Sequence, residues 1–368
     1  MQQKINLLDL FSGIGGFHKG LEQAGFEIGW NGFSDIDKYA NAVYQYQYKE
    51  AISLGSVTDI QGKNLPRVDA ITFGSPCQDF SVAGRRSGLE GNRSSLISEA
   101  IRLIDECQPR FFIWENVKGT FSSNNGEDFW AIIQAFTNIG GYRLEWQLLN
   151  TRWFLPQNRE RIYLVGCLGE KSKSEVFPIG ENGKIYNNGS TRTKSKTEVC
   201  GAITTGEGSR RESNYVKIRE ATKKGYSVAE VGDSINYSVP DSKTRRGRVG
   251  KKTAQTLDTA CNQAVIESGT LRTHNHGRGF RKIKNGDAPA IPARARNDGS
   301  GQPIIKDKAK IRRLTPIECE RLQGFPDDWT KIGVDGLISD TQRYKMCGNA
   351  VTVDVVEKVG ENLLKCLK

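Results

Sequence analysis

The chain has 368 residues, 37% of them hydrophobic, and a formal net charge of +11. It has no apolar run of about eighteen residues and no signal-peptide pattern, so we expect a cytoplasmic protein without a membrane span. Eight cysteines without a CxxC pair and only three histidines argue against a metal site or a disulfide framework. Residues 165–310 hold 28 Lys and Arg against 15 Asp and Glu, whereas the rest of the chain sums to −2, which favours a polyanion partner.

The first 168 residues alternate apolar runs with amphipathic stretches, and the length predicts two domains. Strands are predicted at "INLLDL", "FEIGWNGFS", "VDAITFG", "RFFIWE", "YRLEWQLL" and "RIYLVGC". Helices are predicted over 15–24, 37–48, 93–107 and 127–138. Alternating βα units predict an α/β fold, a doubly wound and mainly parallel sheet covered on both faces.

A glycine-rich turn follows the first predicted strand. The stretch "LLDLFSGIGGF" places Gly13, Gly15 and Gly16 between that strand and the first helix. Such a turn lets a nucleotide-like ligand approach the backbone at a helix N-terminus, although tight packing alone would explain the glycines equally well.

Acidic residues follow the second predicted strand, in "FSDIDKYA". An acid at Asp35 can take a pair of ribose hydroxyls, whereas Asp37 could equally be only the N-cap of the next helix. Together with the glycine turn, this predicts an adenosine-bearing cofactor without choosing between NAD and S-adenosylmethionine.

A cysteine follows the strand "DAITFG" directly after a proline. Cys77 stands just past the carboxyl end of that strand, where open α/β sheets bind ligands. Pro76 fixes its own φ and restricts Ser75, so Cys77 would be aimed at one place. The alternative is an inert thiol in a loop. The basic, glycine-rich "SVAGRRSGLEGNR" that follows is typical of a loop that closes over a ligand.

Periodicity fades between about 170 and 310, where we expect an irregular β domain rather than disorder because short apolar pieces keep returning. The stretches "AQTLDT" and "SGTLRT" share a Thr-Leu-x-Thr core, which indicates repeated strand-and-turn chemistry or, alternatively, tandem recognition units. The basic cluster "SKTRRGRVGKK" (242–252) is a candidate for DNA contact, although charge runs are usually solvated. After it, "LTPIECERLQG" has a helix signature, and "GNAVTVDVVEKVGENLLKCL" predicts a closing amphipathic helix.

Six stretches, taken in order, resemble the motifs of the DNA (cytosine-5)-methyltransferase family. They are "DLFSGIGGF", "FGSPCQDFS", "WENV", "PQNRERIYLVG", "RRLTPIECERLQGFPDDW" and "QRYKMCGNAV". The resemblance implies a Rossmann-like enzyme that uses S-adenosylmethionine on double-stranded DNA. It implies a catalytic and cofactor-binding domain (1–170), a basic target-recognition domain (171–330) and a C-terminal segment that returns to the catalytic domain (331–368).

The resemblance also implies a covalent reaction at a cytosine swung out of the duplex. Cys77, after Pro76, would add to C6 of the base. Glu115 would serve N3, because desolvation at a strand end favours a carboxyl that can donate a proton. Arg159 and Arg161, two apart in a strand, would hold the base carbonyl and a phosphate. Plain surface positions are the alternative for Glu115 and both arginines.

The remaining implied contacts fall into two groups. The cofactor group is Phe11 (on the adenine face), Ser12, Gly13, Gly15, Gly16, Asp35, Ile36, Asp59, Asn349, Ala350 and Val351. The DNA group is Gln78, Ser81, Arg85, Arg86, Arg93, Arg245, Arg246, Arg248, Thr256, Leu257 and Arg312. Asp59 is included because Ser56 stands where the family has the acid for the adenine amino group.

We expect a monomer that modifies DNA, either alone as a phage or orphan enzyme or beside a cognate restriction endonuclease. Three rivals use parts of the same pattern: a nicotinamide-linked dehydrogenase, an RNA methyltransferase and a DNA-binding protein without activity. The dehydrogenase would leave the Pro-Cys loop idle, and the binding protein would need neither Cys77 nor Glu115.

Overall fold

The computed structural model describes residues 3–76, 95–121, 123–169, 175–180, 215–230, 232–238, 242, 244–267, 269–274, 277–282, 304–305 and 310–367. These residues form two compact units. The first unit contains the described residues up to 180, the short segment Thr256–Cys261 and the residues from Thr315 onward; the second contains the others between 215 and 314. None of the helices described is both long enough and apolar enough to cross a membrane.

A parallel-strand sheet with an antiparallel edge forms the centre of the first unit. Its strands are β1 (Gln3–Leu10), β2 (Phe26–Ser34), β3 (Ile52–Ser53), β4 (Ala70–Gly74), β5 (Phe111–Val117), β6 (Tyr142–Asn150) and, after the short β7 (Gln157–Asn158), β8 (Glu160–Leu168). The strand order is β3-β2-β1-β4-β5-β8-β6. All neighbours from β3 to β5 pair in parallel, whereas β8 is antiparallel to both β5 and β6. The predicted doubly wound α/β fold is therefore confirmed.

Helices cover both faces of this sheet. The described helices of the first unit are α1 (Gly16–Gln23), α2 (Lys38–Gln47), α3 (Ser95–Cys107), α4 (Glu127–Ile139), α5 (Pro316–Leu322), α6 (Asp340–Asn349) and α7 (Val353–Cys366). Because side chains alternate along a strand, Leu7 and Phe111 pack with α1 and α7, while Leu8 and Phe112 pack with α3 and α4. Both faces are apolar, as buried parallel strands require.

The C-terminal part of the chain joins the first unit through a break that the sequence did not reveal. The predicted closing amphipathic helix is present as α7, but its predicted start at Gly348 is wrong: α6 ends at Asn349 and α7 begins at Val353. The Thr352 hydroxyl donates to Gln323 Oε1 at 3.0 Å, and the Val353 N–H donates to the Gln323 carbonyl at 2.9 Å. The bond from the Val353 N–H to Gln323 replaces the helical bond that this N–H would make to the Asn349 carbonyl in a continuous helix.

The α5 helix has the predicted start and stop. Thr315 accepts from the Glu318 N–H, and the Glu318 carboxylate accepts from the Thr315 N–H, which is a capping box. Gly324 follows the helix with φ +81°, a conformation that favours glycine. A short hairpin, β19 (Ile332–Gly333) and β20 (Gly336–Leu337), precedes α6.

The second unit is β-rich in its described part, as predicted. Its strands are β9 (Tyr215–Arg219), β10 (Tyr226–Glu230), β11 (Ser234–Asn236), β12 (Val249–Gly250), β13 (Ala254–Gln255), β14 (Gln263–Glu267), β15 (Gly269–His274), β16 (Gly277–Lys282), β17 (Ile304–Ile305) and β18 (Lys310–Arg313). Four of them form an antiparallel sheet in the order β12-β11-β14-β18. Ile218, Ala229, Ile235 and Ile266 make its small core.

Candidate active site

Several residues of the turn between β1 and α1 have left-handed backbone conformations, and the space beside one of its glycines is empty of described atoms. Phe11, Gly13 and Gly15 have φ values of +50°, +53° and +83°. A Cβ on Gly15 would lie 2.8 Å from the Tyr48 ring, and one on Gly16 would lie 2.6 Å from Val351 Cγ2. No described atom lies within 4 Å of the corresponding point at Gly13. A ligand can therefore reach the backbone at Gly13, while Gly15 and Gly16 are needed for packing.

Asp35 connects this turn with the end of β2. Its carboxylate accepts from the Gly13 N–H at 2.9 Å and from the Asp37 N–H at 2.8 Å. Burial raises the pKa of Asp35 above its ordinary value, and the two backbone donors act in the opposite direction. Asp37 is the N-cap of α2, where it accepts from the Tyr39 N–H at 2.9 Å, and it also pairs with Lys345 at 2.7 Å.

Polar and apolar groups suited to a ligand surround Asp35. Ser12 is buried, and its hydroxyl has no hydrogen-bond partner within the described ranges. Ile36 is 87% exposed, so an apolar surface stands directly beside Asp35. Ser56 caps the 3₁₀ turn Val57–Asp59, in which Asp59 is exposed. The unpaired Ser12 hydroxyl and the exposed Ile36 fit an adenosine-bearing group, which has both hydroxyls and an aromatic ring.

The C-terminal residues of the predicted cofactor group lie against the same turn. Val351 is buried on Gly16, and Ala350 is buried beside it, whereas Asn349 is exposed at the end of α6. The structure thus brings the first and last predicted motifs together although more than 300 residues separate them. Phe11 is half-buried and packs against the sheet core on the α3 side.

Glu115 lies at the carboxyl end of β5, paired in register with Gly74 at the end of β4. It is 8% exposed, and its Oε1 lies 3.0 Å from Arg161 Nε of β8. The guanidinium supplies charge but no aligned donor, because Glu115 Oε1 has no hydrogen bond from any described residue. The buried Glu115 Oε1 therefore keeps hydrogen-bonding capacity that a ligand at this edge of the sheet can use.

Residues of β5 also fix the base of the Pro-Cys loop. The Trp114 indole donates to Ser75 Oγ at 3.0 Å, and the Asn116 amide donates to Ser75 Oγ at 3.1 Å and to the Ser75 carbonyl at 3.3 Å. Ser75 precedes the exposed Pro76. We did not predict these anchoring roles, although Trp114 and Asn116 flank Glu115 in the "WENV" stretch and could have suggested them.

Arg159 is placed differently from Arg161. It is 3% exposed, and its guanidinium donates to the Gly348 carbonyl at 3.3 Å and to the Ala350 carbonyl at 2.8 Å. Burial lowers the pKa of Arg159 to about 10, and Arg161 nearby acts in the same direction. Arg159 therefore binds the last turn of α6 and the residue that follows this helix.

A buried polar network, which was not predicted, lies at the end of β1. Asp9 is fully buried, and its carboxyl accepts from Thr72 Oγ1 at 2.8 Å and from the Tyr44 hydroxyl at 3.3 Å. The network continues from Tyr44 to His18 and Asn31. Burial raises the pKa of Asp9 to about 8, so at neutral pH this carboxyl is mostly protonated.

The predicted DNA contacts of the basic cluster are partly engaged within the second unit. Arg248 is 3% exposed, and its backbone N–H donates to the buried Glu220 carboxylate at 2.5 Å. The exposed Arg246 donates from Nε to the Ala221 carbonyl at 2.8 Å, and Arg245 is half-buried. Lys251 pairs with Asp233 at 2.7 Å. Some of these positive charges therefore hold their own loop together.

Thr256 and Leu257 belong to the first unit although they were predicted with the recognition segment. The Thr256 hydroxyl donates to the Asn158 carbonyl at 2.8 Å, and Leu257 is buried. The other predicted residues lie outside what the structure describes. They are Cys77, Gln78, Ser81, Arg85, Arg86, Arg93 and the side chain of Arg312.

Comparison with known proteins gives consistent results. The profile of the family described as C-5 cytosine-specific DNA methylase matches residues 5–365. The chain is 30% identical to the orphan methyltransferase M.SPRI of Bacillus phage SPR over 98% of both chains. It is 29% identical to the type II methyltransferase M.Bsp6I of Bacillus sp. strain RFL6 over 99% of both. The solved structure of the Entamoeba histolytica methyltransferase EhMeth shares the fold, with a TM-score of 0.60, 18% identity and full coverage of both chains.

Proposed function

This chain belongs to the C-5 cytosine-specific DNA methylases and is therefore a DNA (cytosine-5)-methyltransferase; from that premise we propose which residues bind the reactants and which carry the reaction. The observation that supports the assignment best is the pair Glu115 and Arg161. Glu115 is buried and Arg161 is partly buried beside Gly74, three residues before Cys77, at the strand ends where open α/β sheets hold ligands.

Cys77 is the nucleophile in this proposal. Cytosine C5 is a poor nucleophile until another group adds to C6, and a soft thiolate suits that addition. The bonds from Trp114 and Asn116 to Ser75 set the direction in which the chain leaves β4, and Pro76 limits the conformations available before Cys77. The fixed position of Ser75, two residues before Cys77, supports this assignment.

Glu115 serves N3 of the same base. Addition at C6 moves negative charge into the ring, and a proton or strong hydrogen bond at N3 stabilises it. Arg161, which keeps Glu115 in place, is also the cation suited to the base carbonyl. Once C5 carries the methyl group, removal of the C5 proton by a base and cleavage of the C6–S bond, which releases the Cys77 thiolate, restore the aromatic base.

S-adenosylmethionine is the proposed cofactor, and when bound it supplies an electrophilic methyl group. The Gly13 backbone, the Ser12 hydroxyl and Asp35 would hold its ribose and amino acid parts, while Phe11 and Ile36 offer apolar surface to its adenine. The unpaired Ser12 hydroxyl and the exposed Ile36 support this choice. Asp59, Asn349, Ala350 and Val351 remain proposed members of this pocket.

Double-stranded DNA is the proposed partner, with the second unit as the region that recognises sequence. The relatives are named orphan and type II methyltransferases, so we propose the same context here, a modification enzyme acting alone or beside a cognate endonuclease. Because Glu115, Arg161 and the glycine turn all come from one chain, a monomer suffices.

Methyl transfer to nucleic acid tests the reaction, the substrate and the nucleophile together. Tritium from labelled S-adenosylmethionine should enter duplex DNA and not RNA, and bisulfite sequencing of the product should locate the methylated site. A duplex with 5-fluorocytosine should trap the enzyme covalently. Cys77→Ser should lose the adduct and turnover but keep DNA and cofactor affinity; near wild-type turnover in this variant would contradict the assignment of Cys77.

A further inference from the structure

A tryptophan from the C-terminal part of the chain holds the glycine turn. The Trp329 indole N–H donates at 3.0 Å to the carbonyl of Ile14, 315 residues earlier. Ile14 is buried between Gly13 and Gly15. The turn's other hydrogen bonds to described residues are made within residues 12–35: the Ser12 N–H donates to the Ser34 carbonyl at 3.1 Å and the Gly15 N–H to the Ser12 carbonyl at 3.0 Å. The Gly13 N–H donates to the Asp35 carboxylate at 2.9 Å, and the Lys19 N–H of α1 donates to the Gly15 carbonyl at 2.9 Å. Trp329 thus restrains the turn from a separate element.

The turn needs such restraint because its backbone is unfavourable. Phe11 has φ +50°, a left-handed conformation that a non-glycine residue keeps only when its surroundings impose it. Gly13 and Gly15 are left-handed too, and glycine loses the most conformational freedom when it is fixed. The open backbone at Gly13 is available to a ligand only while this conformation persists.

Trp329 is itself firmly placed by rings and by a hydrogen bond to its backbone. It is buried, with its ring centroid 5.4 Å from that of Phe325 and 6.0 Å from that of Tyr48. The Gln47 amide of α2 donates to the Trp329 carbonyl at 2.7 Å. The indole therefore approaches Ile14 from a packed position and not from a flexible one.

A buried ion pair fixes the residues on either side of Trp329. The fully buried Glu320 accepts at 2.9 Å from Arg343 of α6 and at 2.9 Å from the Thr330 N–H. Its other oxygen accepts from the Asp328 N–H at 2.8 Å, and Asp328 has φ +62°. Because Asp328 and Thr330 are both bonded to Glu320, the backbone at Trp329 has little freedom.

We propose that Trp329 is a positioning residue for cofactor binding, which keeps the turn at residues 11–15 open through its bond to Ile14. The proposal rests on the use of S-adenosylmethionine proposed above. Trp329 is not among the residues proposed to contact the cytosine or the transferred methyl group. It therefore sets the affinity for the cofactor and leaves the rate of methyl transfer unchanged.

Trp329→Phe is the sharpest test, because it keeps an aromatic ring and removes the donor. Loss of one hydrogen bond should raise the Kd for S-adenosylmethionine by about three- to tenfold. Turnover at saturating cofactor and the Kd for DNA should stay within about twofold of wild type. Without cofactor, backbone amides of residues 12–16 should exchange hydrogen faster than in wild type.

Trp153→Phe is the matched control, because Trp153 is half-buried and packs on Gly180; its cofactor affinity and its exchange at residues 12–16 should match wild type. Wild-type cofactor affinity and exchange in Trp329→Phe would overturn the proposal. A lower Tm together with similar fold-losses in the affinities for cofactor and for DNA would also overturn the proposal. That pattern is expected of a residue that is needed only for folding. If wild type fails to bind S-adenosylmethionine, the cofactor assignment is wrong, whereas faster exchange in Trp329→Phe would still support control of the turn.

Discussion

The glycine turn and the basic cluster at residues 242–252 differ in what they leave available to a ligand. At the turn, Asp35 accepts from the Gly13 N–H and Trp329 donates to the Ile14 carbonyl. The Ser12 hydroxyl has no partner among the described residues, and the space next to the Gly13 Cα is empty of described atoms. In the basic cluster, Arg248 is buried and Lys251 is paired with Asp233. A glycine motif is therefore a more reliable pointer to a binding site than a run of charges, because the charges can be used within the fold.

The largest effect is expected at Glu115, the proposed partner of the base N3, in the unit that contains the turn. Glu115→Gln keeps the shape of the side chain but removes the acid, so turnover should fall by about 10²–10⁴-fold. Affinities for DNA and S-adenosylmethionine should change little. Glu160→Gln is the matched control, because Glu160 begins β8 and its half-exposed carboxylate pairs with Lys118 at 3.0 Å; its turnover should match wild type. Comparable losses in both variants would remove the special role of Glu115.

The buried network beneath the turn should give a pH-dependent stability. The pKa of Asp9, raised by burial to about 8 from 3.8, means that the folded state holds a proton that the unfolded state releases above pH 4. The stabilisation is thus complete below about pH 4 and is lost as the pH rises to about 8. Asp9→Asn imitates the protonated form, so its unfolding free energy should exceed that of wild type by about 2–4 kcal/mol at pH 8.

Urea unfolding at pH 5, 6.5 and 8 measures this difference, which should shrink toward pH 5. Asp59→Asn is the control, since Asp59 is exposed and its substitution should leave the pH dependence unchanged. A constant difference between Asp9→Asn and wild type across this range would show that Asp9 is ionised in the folded protein.

Local patterns and distant contacts account for what could and could not be predicted. The hydrophobic periodicity predicted the strands that end near Asp35 and Glu115. Because a parallel sheet brings the carboxyl ends of its strands to one edge, it also predicted that these two residues lie at the same edge. The bonds from Arg159 to Gly348 and from Trp329 to Ile14 could not be predicted, since each partner lies more than 180 residues away. The break at Thr352 was missed for the same reason: Gln323 imposes it from outside the local sequence.

Asp35 tests whether the turn depends on its acidic contact. Asp35→Asn leaves one acceptor for the Gly13 and Asp37 N–H groups, so affinity for S-adenosylmethionine should fall by about 1–3 kcal/mol. Calorimetry measures the loss. Asp37→Asn is the comparison, because Asn can still cap α2 but loses the ion pair with Lys345; it should lower the unfolding free energy by less than about 1 kcal/mol and change cofactor affinity less. A larger cofactor effect at Asp37 would move the ribose contact there.

The smallest effect is expected in the basic cluster, where it decides how many charges are free to meet DNA. Arg245→Ala with Arg246→Ala should weaken binding to all duplexes alike and reduce the slope of log affinity against log salt by at most about two. Arg246 already donates to the Ala221 carbonyl, so a reduction near one would indicate that only part of the pair reaches phosphate. Lys223→Ala with Lys224→Ala removes two exposed charges from the same unit and controls for net charge. Equal slopes in both double variants would mean that the cluster acts only through overall charge, whereas a changed methylation pattern in the arginine variant would indicate contact with base edges.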